Sequence, residues 1–163
     1  MYKLSKNSIK RTTDNASIPL DPANRDYAEY LEWVALGNMP TPQFTAADLL
    51  ANAKTAKNTE LEQAFGAAAT ADIAYMGTVF QCDPGSQSLL TSTISNVTAK
   101  GSVPSGFAWW DKANNSIPMA LAQVQGLGDA IWQRGNAAFV NKRTKKDQVI
   151  AASDIPTVNA ITF

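Results

Sequence analysis

The chain has 163 residues, 14 basic and 14 acidic side chains, no histidine and one cysteine, Cys82. That length suits one domain or two small ones, and zero formal net charge argues against a nucleic-acid partner, which needs a phosphate-neutralising excess of Lys and Arg. Without histidine there is no Ser-His or Cys-His nucleophile and no His-ligated zinc, and a lone thiol excludes an intrachain disulfide or a thiolate metal cluster.

Residues 2–18 read as short β segments. Tyr2 and Leu4 alternate with polar residues, Ile9 and Arg11 repeat the pattern, and Asp14-Asn15 supplies a turn before Ala16-Ser17-Ile18. No apolar stretch follows Lys3, Lys6 and Lys10, so no secretory signal is expected. Pro19 and Pro22 bracket Asp21, which suits a helix cap with Pro22 as first helical residue. Tyr27, Tyr30, Leu31 and Val34 then lie at helical spacing, and Gly37 suits the position just past the helix end. This helix is acidic through Asp26, Glu29 and Glu32 where the arm before it is basic. Either the arm docks on the helix through those charges or both faces are solvated. Exposed ion pairs contribute only about 0–1 kcal/mol, which favours the second.

Met39-Pro40-Thr41-Pro42-Gln43 is the clearest linker, because paired prolines stop a helix and favour an extended path. Thr45 with Asp48 three residues on marks a new helix start, running to about Thr70. Its stripe (Leu49, Leu50, Ala53, Ala56, Leu61, Ala64, Phe65 and Ala68) is narrow and built mostly of small residues, so this helix needs a neighbour, either within the chain or in a second copy. From Ile73 the texture becomes mixed. Ile73 to Cys82 reads as a hairpin turning at Gly77-Thr78, and Asp83-Pro84 opens a helix that Gly101 ends, with Leu89, Leu90, Thr93, Ile94 and Val97 on one face. Phe107 to Trp110 and Ser116 to Met119 form a second hairpin around Asp111 to Asn115. A long helix follows to Ala152, with Leu121, Val124, Leu127, Ile131, Ala138, Phe139, Val149 and Ile150 on its buried face. Gly126, Gly128 and Gly135 inside it imply close packing or a bend, and Ala120 stands where a capping Ser or Thr is expected. Val158, Ile161 and Phe163 remain to tuck back onto something.

The fold expected is therefore α+β in three parts. A β arm plus helix occupies 1–38, a Pro-rich linker and connecting helix 39–72, and a compact domain of two β-hairpins packed on two helices 73–163. No stretch has the roughly 18 consecutive apolar residues of a membrane span. Catalytic candidates are poor. Asp72, Asp83 and Asp111 lie beside turns, Gly126-Leu127-Gly128 lacks the strand and third glycine of a dinucleotide loop, and Cys82 reads as a small core residue beside Asp83. No enzyme, cofactor or metal role is expected. The remaining candidates bind partners. Lys142, Arg143, Lys145 and Lys146 form the strongest charge cluster, read as a solvated helix end or as a contact for an acidic protein. Trp109 and Trp110 point to opposite faces of a strand, so one needs a cover: a helix, a second chain, or neither.

The phrase Asp21-Pro22-Ala23-Asn24-Arg25-Asp26-Tyr27-Ala28-Glu29-Tyr30-Leu31-Glu32-Trp33, followed by Gly37-Asn38-Met39-Pro40, resembles a segment of small bacteriophage tail proteins. The second half is similar to an uncharacterised domain of phage tail and tail-fibre proteins through Tyr75-Met76-Gly77, Phe80, Asp83, Trp110-Asp111, Asn114-Asn115, Met119, Arg134-Gly135, Phe139 and Arg143. The resemblance implies a virion structural protein of the tail, in a fibre or baseplate, assembled in the host cytoplasm. Its partners would be other tail proteins and copies of itself, with a trimer favoured, and no nucleic acid or membrane. Tyr27, Tyr30 and Trp33 join Trp109, Trp110 and the basic cluster as candidate partner-binding residues. A tail-fibre assembly chaperone is the alternative, and an enzyme acting on envelope polymers a weaker third.

Overall fold

The computed structural model describes all of residues 1–163 and is α+β, with small antiparallel sheets and five helices. The chain divides into two compact units, Met1–Asn52 and Ala53–Phe163.

In the first unit, strands β1 (Tyr2–Leu4), β2 (Ser8–Arg11) and β3 (Ser17–Pro19) form an antiparallel sheet in the order β1-β2-β3. The register pairs Tyr2 with Arg11 and Ile9 with Ile18, and it buries Tyr2, Ile9 and Ile18 against helix α1 (Arg25–Ala35). Helix α1 starts three residues later than Pro22. Its cap is Asn24, whose side chain accepts from the Tyr27 amide at 3.1 Å, while Asp21 closes the preceding turn by accepting from Ala23 at 2.9 Å. Two capping-type side chains compete here. The one that reaches two residues on makes a turn, and the one that reaches three on starts the helix. Gly37, at φ +85°, lies past the helix end as expected. The expected linker is not free. Thr41 donates to the Tyr2 carbonyl at 2.9 Å and accepts from the Leu4 amide at 2.8 Å, so it lies alongside β1 as a parallel bridge.

Helix α2 (Ala46–Thr70) opens with the expected box, in which Thr45 Oγ1 accepts from the Asp48 amide at 3.1 Å and Asp48 accepts from the Thr45 amide at 2.8 Å. The second unit adds hairpins β4 (Ile73–Tyr75) with β5 (Thr78–Phe80) and β6 (Ala108–Trp110) with β7 (Ser116–Pro118). Three helices complete it: α3 (Pro84–Lys100), α4 (Leu121–Ala151) and α5 (Ile155–Ala160). In the first hairpin Tyr75 pairs with Thr78, so the turn is Met76-Gly77, one residue earlier than the sequence suggested. Both turn residues have positive φ, +52° and +81°, as a right-twisting two-residue hairpin loop requires.

The core holds Phe80, Leu90, Met119, Val124 and Leu127, with Ile73, Tyr75, Ile94, Phe107, Trp109 and Ile117 packed around it. Asp83 caps α3 as expected, and Gly101, at φ +70°, ends it. Gly126 and Gly128 are packing glycines. A Cβ at Gly126 would overlap the Tyr75 hydroxyl, and one at Gly128 the Ile94 methyl. The weak cap at Ala120 is repaired from the helix side, where Gln123 Oε1 accepts from the Ala120 amide at 2.7 Å. Helix α4 is about 46 Å long at 1.5 Å per residue.

The neighbour that α2 needs is α4, running antiparallel to it. Lys54 donates to the Ile150 carbonyl at 2.8 Å, the Phe65 and Phe139 rings meet edge to face at 6.3 Å, and Arg134 donates to Ala69 at 3.0 Å and to Ala71. Leu61, Val149 and Ile161 are buried together, and Val158 is buried nearby in sequence on α5, so most of the tail does tuck in. No helix is long and apolar enough to cross a membrane.

Candidate docking surfaces

The candidate residues divide into those the fold consumes and those it leaves open. Tyr27, Tyr30 and Trp33 belong to the first group. Tyr30 is buried, and Tyr2 meets Tyr30 at 5.2 Å and Trp33 at 5.1 Å, both edge to face, while Tyr27 stacks on Tyr30 at 5.9 Å. Such pairs add about 0.5–1.5 kcal/mol each beyond the area they bury. A unit this small leans on that ladder for its core, so these rings build the module, with Tyr30 buried and Tyr27 and Trp33 half-buried.

The sheet and α1 are also joined by charge, against the expectation of two solvated faces. Arg11 binds Asp14 at 2.9 Å and reaches Asp26 at 3.5 Å and Glu29 at 3.8 Å, while Lys3, Lys6 and Lys10 stay exposed. The Arg11 guanidinium holds the Asp14 carboxyl below its ordinary value, and Asp14 in turn raises Arg11. With the aromatic ladder already pressing the arm onto α1, this pairing needs little further ordering of the backbone.

The basic cluster is likewise split. Lys142 and Lys146 both bind the Glu62 carboxylate of α2, Lys142 at 2.9 Å, and Lys142 also lies 3.9 Å above the Phe65 ring. These two hydrogen bonds, Lys146 first, lower the Glu62 pKa. Lys145 lines a groove of about 430 Å3 with Gln148, Ala152, Thr157 and Ile161, and Arg143 alone of the four is exposed. The solvated-end reading therefore holds for Arg143, whereas Lys142 and Lys146 face an acid within the same chain.

On the hairpin face the two indoles part as strand alternation requires. Trp109 packs against the core, and Trp110 is 61% exposed. With Gln81, Ser86 and the exposed Leu89 they line a cleft of about 150 Å3, room for one modest side chain. Behind it the hairpins are locked together. Asp111 accepts from the Asn115 amide at 2.8 Å, from Asn115 Nδ2 at 3.0 Å and from Thr78 Oγ1 at 2.9 Å, and the Lys112 amide donates to Val79 at 2.8 Å. Those bonds, the Asn115 side chain first, hold the Asp111 carboxyl below its usual range. Asp72 pairs with Lys112 at 2.5 Å, and no three thiol or carboxylate groups converge as metal ligands would. Cys82 is fully buried, and burial raises its pKa.

A family described as "Domain of unknown function (DUF4376)" matches residues 52–162. The chain belongs to that family. No curated protein and no solved structure matches it. The DUF4376 match coincides within one residue at each end with the second compact unit, Ala53–Phe163. The Trp110 cleft and all of α4 therefore lie within the DUF4376 domain, and the aromatic ladder lies outside it.

Within the DUF4376 domain the sequence reading missed one surface. Trp132 is 68% exposed, and Phe139 and Ile150, expected on the buried face of α4, are 48% and 71% exposed. The buried positions of α4 are Val124, Leu127, Ala138 and Val149. A signal was present, because Trp132, Asn136, Phe139, Arg143, Lys146 and Ile150 recur at alternating steps of four and three. That spacing reads equally well as core, and only the positions of α3, the hairpins and α2 around α4 decide which of its seams is covered.

Proposed function

We propose that the protein is a structural component of a bacteriophage tail, in a fibre or baseplate, that works by docking onto other tail proteins and onto copies of itself. It is assembled in the host cytoplasm and retained in the tail of the virion. The observation that carries this reading is the exposed Trp110 with Leu89 at the mouth of a one-side-chain cleft, braced from behind by the Asp111 bonds. An exposed indole on a rigid support is the kind of anchor that concentrates binding energy at protein interfaces. The tail-protein phrase at Asp21 to Pro40 supplies the setting.

The test is mass spectrometry of purified particles combined with a Trp110→Ala variant. The chain is expected at stoichiometric level, and Trp110→Ala is expected to fold with unchanged melting temperature yet fail to incorporate. Absence of the wild-type chain from finished particles would instead make it an assembly chaperone. Normal incorporation of the variant would remove Trp110 as the anchor.

A further inference from the structure

Helix α4 carries two apolar-polar seams, and the chain itself covers only one of them. The covered seam holds Val124, Leu127, Ala138 and Val149. The open seam runs Asp129, Trp132, Asn136, Phe139, Arg143, Lys146 and Ile150, alternating steps of three and four over six intervals, the spacing that keeps a stripe facing one neighbouring helix. Five of these positions besides Phe139 and Lys146 are exposed, among them Trp132 at 68% and Ile150 at 71%, far beyond what a solvated helix face needs. Phe139 rests one edge on Phe65 and leaves about half its surface free, and Lys146 shares Glu62 with Lys142 while staying partly open.

The charges on this seam decide what can cover it. Its N-terminal half carries the acid Asp129, and its C-terminal half the bases Arg143 and Lys146. A parallel second copy would set Asp129 against Asp129, Arg143 against Arg143 and Lys146 against Lys146. An antiparallel copy in the interlocking register sets Asp129 opposite Lys146, Trp132 opposite Arg143 and Asn136 opposite Phe139, each pair occurring twice. The first is an ion pair, the second a cation over an indole face, the most favourable ring for that contact. The two-fold axis of this register falls between Ala137 and Ala138, within two residues of the midpoint of Leu121–Ala151, so the helices overlap along nearly their whole length.

We propose that the open seam of α4 is the site at which a second copy of this chain docks, antiparallel, across a two-fold axis at Ala137-Ala138. Such an interface is isologous and closed, so it yields pairs. It rules against the threefold association that the sequence reading favoured, because three parallel copies of α4 would stack like charges on this face. This inference deepens the self-association part of the proposed function and rests on it. Its test reads stoichiometry in solution and stands whether or not the chain is found in particles.

The experiment uses the full chain, half of it isotopically labelled, treated with a zero-length carbodiimide cross-linker and weighed by light scattering. Asp129 and Lys146 lie about 25 Å apart on one helix, so a cross-link joining them can form only between copies. The result expected is a dimer whose labelled and unlabelled chains are joined from Asp129 to Lys146. Trp132→Ala, on an exposed residue, is expected to keep the melting temperature and to weaken the dimer roughly tenfold or more. Leu36→Ala, on an exposed residue outside the DUF4376 domain, is expected to leave it unchanged. A monomer at micromolar concentration, a trimer, or a dimer that lacks the cross-link and ignores Trp132→Ala would each overturn the proposal.

Discussion

The glycines of the two long helices allow one substitution to be given opposite signs at different sites. Gly→Ala inside a helix gains about 0.8–1.0 kcal/mol of intrinsic propensity. At Gly66 in α2 and Gly135 in α4 nothing lies within 4 Å of the added Cβ, so the gain is unopposed. Each variant is expected to be more stable by about 1 kcal/mol, a rise of about 2–4 °C in melting temperature for a chain of this size. At Gly126 the same methyl meets the hydroxyl and Cζ of Tyr75, a ring held in the core by β4. Overpacking costs about 1–3 kcal/mol, so Gly126→Ala is expected to lose about 1 kcal/mol net. Gly128→Ala meets only the terminal methyl of Ile94, which can rotate away, and is expected near neutral. Urea and thermal unfolding measure all four. The deciding case adds Tyr75→Phe, which removes the clashing hydroxyl and should recover most of the Gly126→Ala loss. Equal stabilisation at Gly126 and Gly66, or no coupling between Gly126 and Tyr75, would refute this account of the α4 glycines.

Met76 sits at φ +52° in a two-residue turn that Asn or Gly adopts without strain. Met76→Asn is therefore expected to raise stability by about 0.5–1 kcal/mol, and Met76→Pro, which locks φ near −65°, to lower it, both read by thermal unfolding. Asp14, Asp48, Glu62, Asp83, Asp111 and Asp154 all have pKa values lowered by their hydrogen-bond and charge partners in the folded state. The unfolded chain then binds more protons, so this stability is complete above the ordinary carboxylate value of about 4 and is lost as the pH falls through the lowered values. The urea midpoint should be flat near neutrality and drop steeply below that value; a flat profile down to pH 2 would contradict it. Cys82, buried and with a raised pKa, is expected to react with a thiol reagent only at the rate of unfolding, measured by mass spectrometry with and without urea.

Local chemistry was the most legible part of the chain. The Thr45-Asp48 box, the Asp83-Pro84 start and the stops at Gly37 and Gly101 could be read directly, because each depends on a few neighbouring residues. Where two local signals competed, the reading slipped. Asp21 against Asn24 moved a helix start, and Met76-Gly77 against Gly77-Thr78 moved a turn, since a strand register is set by its partner strand. Burial on α4 was the least legible, because Phe139 and Ile150 follow the helical period as faithfully as Val124 and Val149. Which seam is inner depends on α3 and the hairpins, which cover Val124 and Leu127, and on α2, placed by Glu62 with Lys142 and Lys146, by Phe65 with Phe139 and by Arg134 with Ala69. The contacts with α2 are made across 65 to 84 residues of sequence, and no window on the chain contains both partners. The same distance explains Lys142 and Lys146, read with the rest of the basic run as a solvated helix end or a contact for an acidic protein, whose acid Glu62 sits on α2.

Thr41 has both its amide and its carbonyl turned toward β1, so its neighbours in an extended backbone turn theirs the other way. Those neighbours are Pro40 and Pro42, which have no amide hydrogen to offer. The rim of the arm's sheet beyond β1 is thus a row of acceptors without donors, and a passing strand finds no ladder to continue there. Copies of the arm that meet at this rim cannot grow into one another's sheets, which confines association there to side-chain surfaces that can be specific.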